Sequence, residues 1–239
     1  MNPKTWVECK ISKVVQETPD TVTIRVALPE HESIQFIPGQ YVMFGFLNGE
    51  ESSRSKAYSI SSSPSNTKWI EITVKKEGPF STRMTKLQVG DKVKIRGPIG
   101  HFVFKDDYKQ DIMLIAGGTG IAPLRSMWQY IIERELPNNV KLLFSTKIPE
   151  DIIYKQELEE LKKHNKNVQV TVTLTRVQDG WDGRKGRIDW GMINEHVTDF
   201  KNTLFFICGP DAMVNDLQKA LRDNGAAIGQ VKIEKWGIQ

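Results

Sequence analysis

The sequence predicts a two-domain protein, with an antiparallel β domain over residues 1–106 and a doubly wound α/β domain over 107–239. Three observations carry this reading. From Lys4 to Ile99 the chain alternates polar and apolar residues with period two, in short runs broken by turn signals. From Asp106-Asp107 onward, short apolar runs alternate with amphipathic helical patterns, as a parallel sheet covered on both faces requires. The first of those apolar runs ends in Gly117-Gly118-Thr119-Gly120 and opens directly into a helical pattern.

In the first half the alternation is clearest at Val7–Val14, Val22–Val26 and Ile70–Val74. Thr18-Pro19-Asp20, Ile37-Pro38-Gly39, Leu47-Asn48-Gly49 and Val89-Gly90-Asp91 are the turns between runs. Many short strands so spaced make a barrel or a sandwich, with one short helix expected at Ser81–Leu87. In the second half the expected strands are Ile112–Ala116, Val140–Ser145, Val168–Leu174, Leu204–Cys208 and Ile228–Ile233. The expected helices are Leu124–Glu133, Pro149–Lys163 and Asp211–Asp223, the last stopped by Asn224-Gly225.

Composition excludes several classes of function. The 33 basic and 29 acidic residues leave a net charge of +4, too mild for a nucleic-acid partner, and no basic run stands out. No apolar stretch reaches the length of a membrane span. The residues Met1 to Trp6 lack the apolar core of a secretory signal, so a cytoplasmic location is expected. Two cysteines, Cys9 and Cys208, make neither a disulfide framework nor the ligand set of an ordinary iron–sulfur cluster. The four histidines lack metal-ligand spacing, and no metal is expected.

Three stretches carry chemistry. The strand–glycine turn–helix corner at 114–123 offers free amides and a positive dipole end to a phosphate, or is only a tight turn; both readings fit these residues. Arg54 to Pro64 places cations, hydroxyls and Tyr58 on one strand-like segment, suited to a planar ligand and a phosphate, or to a serine-rich edge strand. Lys75 to Thr82 ends a strand at Gly78 and starts a helix capped by Ser81 or Thr82, whose amides either hold a pyrophosphate or bind nothing. Arg96 to Phe102 reads as a turn.

Taken in order, these stretches resemble the ferredoxin–NADP(+) reductase superfamily of flavoproteins over nearly the whole chain. Lys56-Ala57-Tyr58-Ser59 sits where the family has Arg-x-Tyr-Ser. Gly78-Pro79-Phe80-Ser81 matches its flavin pyrophosphate motif. Gly117 to Pro123 matches its pyridine-nucleotide loop, and Cys208-Gly209-Pro210 its Cys-Gly-Pro turn. The resemblance implies a Greek-key flavin barrel followed by a Rossmann-like nucleotide domain.

It also implies roles. Tyr58 stacks on the isoalloxazine, Ser59 bonds near its N5, and Ser59, Cys208 and Glu234 lie at the reacting atoms. Val74, Lys75, Gly78, Pro79, Phe80, Ser81 and Thr82 join Lys56, Ala57 and Tyr58 around the flavin. Gly117, Gly118, Thr119, Gly120, Gly209 and Pro210 hold the dinucleotide, with Thr119 near the nicotinamide. Without the adjoining Gly209-Pro210, Cys208 reads rather as a small buried thiol at a strand end. The family's motif arginine is replaced here by Lys56, which cannot form a bidentate fork, so either Lys56 serves as a simple counter-ion or Arg54 reaches in. Trp236 near the C-terminus is expected to cover the flavin face in the absence of nucleotide, or to plug the space between domains.

Thr175-Arg176 resembles the Ser/Thr-Arg pair of NADP-specific members, and Arg184 lies in the cationic run that follows, which favours NADP(H) over NAD(H). FAD is favoured over FMN, because the serine run after Tyr58 leaves room for adenosine contacts. The implied activity is electron transfer between NAD(P)H and a separate one-electron partner: a ferredoxin, a flavodoxin or an oxygenase component. The rival reading is a non-catalytic electron-relay or regulatory subunit of a larger redox complex.

Overall fold

Twelve strands form two six-stranded sheets in the computed structural model, which describes residues 4–49, 53–176 and 180–236, with only the backbone of Trp236. The chain divides into two units. One holds the chain to Lys105 together with Arg125–Arg134; the other holds Asp106–Leu124 and the chain from Glu135.

The first unit contains β1 (Val7–Thr18), β2 (Thr21–Ala27), β3 (Tyr41–Phe46), β4 (Ser55–Ser59), β5 (Trp69–Lys75), α1 (Pro79–Met84) and β6 (Lys92–Ile99). Its strands run in the order β4-β3-β6-β1-β2-β5, and every pair is antiparallel. Ile60, one residue past β4, bridges to Ile72 on β5, which brings the two edges together and closes the sheet into a barrel. The barrel order, with β6 between β3 and β1, is the Greek-key arrangement. Period-two alternation puts Cys9, Ile11, Ile24, Val42, Phe44, Ile72, Val93 and Ile95 into one buried cluster.

The second unit contains β7 (Asp111–Gly117), β8 (Val140–Thr146), α3 (Lys155–His164), β9 (Val168–Leu174), β10 (Arg184–Lys185), α4 (Trp190–His196), β11 (Thr203–Pro210), α5 (Asp211–Asp223) and β12 (Val231–Trp236). The helix α2 (Ile121–Glu133) starts here, and its residues from Arg125 onward count with the barrel. The sheet order is β10-β9-β8-β7-β11-β12, all parallel. Consecutive residues Ile112 to Ala116 are all buried, so both faces of β7 are covered. The face of Met113, Ile115, Phe205 and Ile207 packs on Met192 and Ile193 of α4 and on Val214, Leu217 and Leu221 of α5.

Six expectations need correction. Arg96–Ile99, read as part of a turn, completes β6, and the strand expected to end at Gly78 ends at Lys75. The single helix expected over Pro149–Lys163 is a 3-10 turn at Pro149–Asp151 and then α3, because Tyr154 at φ 58 breaks the helical path. The strand expected from Ile228 starts at Val231, since 228–230 forms a 3-10 turn. The short helix is Pro79–Met84 rather than Ser81–Leu87, with proline in its first turn. Finally, α2 begins three residues before Leu124. The two-residue β10 and the seven-residue α4 were not expected from the sequence.

Phe44 is fully buried and its ring meets those of Phe46, Tyr58 and Phe80. Phe44→Ala is expected to cost about 3–5 kcal/mol, read as a lower urea midpoint in equilibrium denaturation.

Candidate functional site

In the barrel, the short strand β4 and the turn before α1 meet at one end. Tyr58 pairs with Val42 and Lys56 with Phe44, so these two side chains share a face of β4. Phe44 links this strand to the turn: its ring stands edge-on to Tyr58 at 6.3 Å and to Phe80 at 6.4 Å. Burial, and then the charge of Glu77, pushes the Tyr58 hydroxyl well above its ordinary pKa, so it stays protonated. A half-buried aromatic ring, an exposed cation and the amides of the 77–82 turn thus lie together. This set fits a flavin with its pyrophosphate. Gly78 borders open space: a Cβ placed there meets nothing within 4 Å.

The cap of α1 differs from expectation. Gly78, in extended conformation, is the N-cap, and Ser81 lies three residues inside. The Ser81 hydroxyl accepts from the amides of Glu77 and Gly78 at 3.0 and 3.1 Å. Those two amides are therefore engaged by Ser81 itself. Of the other expected flavin residues, Val74 and Phe80 are buried, Pro79 is exposed and Thr82 is half-buried. Lys75 pairs with Asp20 at 3.3 Å. Ser59, opposite Tyr41, ends β4 half-buried, and Ala57 is exposed. Arg54 and Lys56 are both exposed; only Lys56 lies within β4, on Tyr58's face.

In the second unit the strand order reverses between β7 and β11. That switch point opens a crevice at the carboxyl ends of the strands, where open parallel sheets take their ligands. The glycine corner closes β7 there, and Cys208-Gly209-Pro210 closes β11. Their backbones touch. A Cβ on Gly120 would stand 2.2 Å from the Cys208 carbonyl oxygen, and one on Gly209 would stand 3.1 Å from the Gly117 amide. Gly118 takes φ 54, in the left-handed region, which lets the chain turn from the strand into a 3-10 turn and α2. Thr119 is half-buried at the centre of that corner.

Cys208 lies between Ala116 of β7 and Glu234 of β12 in the sheet register. Burial, and then the charge of Glu234, raises its thiol well above the ordinary range. Burial also lifts Glu234 to about 7, and its Oε2 is enclosed without a hydrogen-bond partner among the described residues. The pair offers a protonated thiol and a carboxyl that exchanges its proton near neutral pH. Trp236 ends β12 opposite Pro210, and its side chain lies outside the described residues.

The ends of β8, β9 and β10 form an adjoining cationic edge. The Arg176 amide donates to the Lys147 carbonyl at 2.9 Å, and the Thr175 amide to Thr146 at 2.9 Å. The Gly186 amide donates to Leu174 at 2.9 Å. Arg176 is exposed. Arg184 instead forms an ion pair with Glu195, so its charge is already met. Sequence reasoning missed Lys147, whose place beside Arg176 depends on the β8–β9 register.

Comparison with known proteins agrees with this geometry. Residues 8–104 match the family described as the oxidoreductase FAD-binding domain, and residues 114–219 the oxidoreductase NAD-binding domain. The chain is 31% identical over 234 residues to NADH-cytochrome b5 reductase 1 of Mortierella alpina, covering 94% of this chain and 77% of the relative. It is 30% identical to the glycine betaine monooxygenase reductase subunit of Chromohalobacter salexigens, covering 94% of this chain and 62% of the relative. A ferredoxin NADP+ reductase of Neisseria gonorrhoeae, solved with FAD and NADP bound, superposes with a TM-score of 0.81 at 26% identity, over 96% of this chain and 98% of that one.

Two outcomes are expected. Gly120→Ala forces backbone apart at a cost of about 1–3 kcal/mol and weakens nicotinamide-nucleotide binding by about tenfold or more, while flavin absorbance is retained; a spectral titration reads both. For Glu234 the folded-state pKa of about 7 exceeds the ordinary glutamate value of 4.5. Between those values the folded protein keeps a proton that the unfolded chain loses, so stability falls as pH rises through this window. Glu234→Gln removes that slope, and is expected to melt higher than the parent at about pH 8 but level with it near pH 4.5.

Proposed function

Because the chain belongs to the ferredoxin–NADP(+) reductase superfamily and is an NAD(P)H-dependent flavoprotein reductase, we propose that it moves electrons between NADPH and a separate one-electron redox protein. FAD and a nicotinamide nucleotide are its cofactors. The observation that carries the proposal is the meeting of Tyr58, Lys56 and the Gly78 turn around Phe44, together with a glycine corner at the switch point of the parallel sheet. When bound, FAD would supply the redox chemistry, exchanging two electrons with the nicotinamide and one at a time with the partner protein.

The side chains have distinct tasks in this proposal. Tyr58 presents its ring to the isoalloxazine plane, and the Ser59 hydroxyl hydrogen-bonds at N5. Lys56 neutralises flavin phosphate as a point charge, in the place of the family's arginine. The amides between Gly78 and Thr82 that Ser81 does not occupy receive the pyrophosphate. The glycines from Gly117 to Gly120 let the nucleotide's phosphates approach the backbone, with Gly209 and Pro210 as the opposing wall and Thr119 towards the nicotinamide. Cys208 adds a neutral donor, and Glu234 holds or releases a proton at its carboxyl. Residues 1–106 would then form the flavin domain and 107–239 the nucleotide domain.

The preference for NADPH rests on the ends of β8 and β9. Ser145-Thr146-Lys147 and Leu174-Thr175-Arg176 carry two cations and no carboxylate, the balance that suits a 2′-phosphate rather than a 2′-hydroxyl. The relatives named above are called NADH-cytochrome b5 reductase and an oxygenase reductase subunit. Cytochrome b5, a ferredoxin, a flavodoxin and an oxygenase component are accordingly the acceptors to test.

Purified protein is expected to be yellow, to release FAD on denaturation and to bleach with NADPH under anaerobic conditions; colourless protein that takes up no added FAD would overturn the reading. Arg176→Ala is expected to raise KM for NADPH by about 10–100-fold and to leave KM for NADH unchanged. A parent enzyme with higher kcat/KM for NADH than for NADPH would refute the nucleotide preference.

A further inference from the structure

The barrel carries a buried charge network that none of the flavin or nucleotide contacts uses. Glu71, on β5, is 6% exposed. Its Oε1 accepts from Arg25 Nε and Nη2 at 3.0 and 2.8 Å, directly across the β2–β5 ladder. Arg25 also lies over the Trp69 ring at 3.7 Å. The second oxygen, Oε2, turns off the sheet to Arg125 Nη1 at 2.8 Å. Burial acts to raise the Glu71 pKa, but hydrogen bonds and charges from Arg125 and then Arg25 bring it below its ordinary value, so the carboxylate stays ionised.

Arg125 does more than neutralise Glu71. The same Nη1 donates to the Ser61 carbonyl at 3.2 Å. The next residue on α2, Ser126, donates its hydroxyl to the Ser62 carbonyl at 2.7 Å. One turn on, Gln129 accepts from the Ser63 amide at 3.1 Å. From β5, the Glu71 amide donates to Ser62 Oγ at 3.0 Å, and Thr73 Oγ1 to Ser61 Oγ at 3.3 Å. Ser61, Ser62 and Ser63 are all buried. Thus a segment with no ladder of its own beyond the Ile60–Ile72 bridge is fixed by side chains on both sides.

That segment begins two residues after Ser59. The strand β4 has one ladder partner, β3, and sits at the end of the sheet order. A short strand held on one side is prone to slip, and a slip of one residue would exchange the faces to which Tyr58 and Ser59 point. A buried ion pair adds little net stability against apolar groups of similar size, and orientation is the role for which such pairs are best attested.

We propose that Arg125, through Glu71 and the Ser61–Ser63 backbone, is a positioning residue that sets the register of the flavin strand. It touches neither FAD nor the nucleotide in this account. The inference rests on the reading of Lys56 to Ser59 as the flavin strand.

The test uses the full chain with FAD. Arg125→Met removes the hydrogen bonds to Glu71 and Ser61, and Arg125→Lys keeps a charge that cannot span those two acceptors as the planar fork does. Ser126→Ala removes one neutral bond and serves if Arg125→Met does not fold. For each, FAD affinity is measured by titration of apoprotein, the flavin's surroundings by visible circular dichroism, and folding by thermal melting. Arg125→Met is expected to weaken FAD by about tenfold and to change the visible dichroism, Arg125→Lys to fall between it and the parent, and Ser126→Ala to show a smaller change of the same sign. Lowered melting with parental FAD affinity and dichroism in these variants would overturn the proposal while leaving the flavin reading intact. A parent that binds no FAD would overturn the flavin reading and, with it, this inference.

Discussion

The backbone contact between Gly120 and the Cys208 carbonyl fixes how the second unit works. Parallel pairing places β7 and β11 side by side, so their following turns must share the space above the sheet. With any side chain at position 120 that space is filled by a carbon 2.2 Å from an oxygen. Glycine lets the two turns close on each other, and the direction in which α2 leaves the sheet follows from that. The same register sets Cys208 between Ala116 and Glu234. The corner, the thiol and the carboxyl are therefore three consequences of one strand order.

The barrel solves a different problem. Its strand β4 is only five residues long and has a ladder on one side. Backbone pairing alone leaves such a strand loosely specified. Directional polar contacts from Glu71, Arg125 and Ser126 compensate where hydrophobic packing cannot, since burial is indifferent to register within a run of serines. Phe44 supplies the complementary apolar contact, holding Tyr58 and Phe80 against one ring.

Much of this was legible in the residues themselves. The bounds of Val168–Leu174 and Asp211–Asp223 agree with the structure to the residue, because an apolar run flanked by polar residues and a helix stopped by Asn-Gly are local signals. Local signals failed where the backbone departs from its pattern. Tyr154 adopts a left-handed conformation that nothing in Ile152-Ile153-Tyr154 announces, and this split one expected helix. The stretches around Tyr58, Gly78 and Gly117 stood out in the sequence because each is contiguous. Glu71 and Arg125 lie 54 residues apart, and a single glutamate between isoleucines gives no hint of its partner. Lys147 and Arg176 likewise become neighbours only through the register of β8 and β9.

Both cysteines are buried, and burial is the leading reason that the Cys9 thiol rises to about 12 and that of Cys208 rises well above its ordinary value. Oxidants and alkylating agents attack the thiolate, and neither sulfur offers one at neutral pH. Peroxide formed where a reduced flavin meets air would therefore find no cysteine thiolate at these two positions. The reductase's electrons leave by the flavin, and its thiols stay chemically silent.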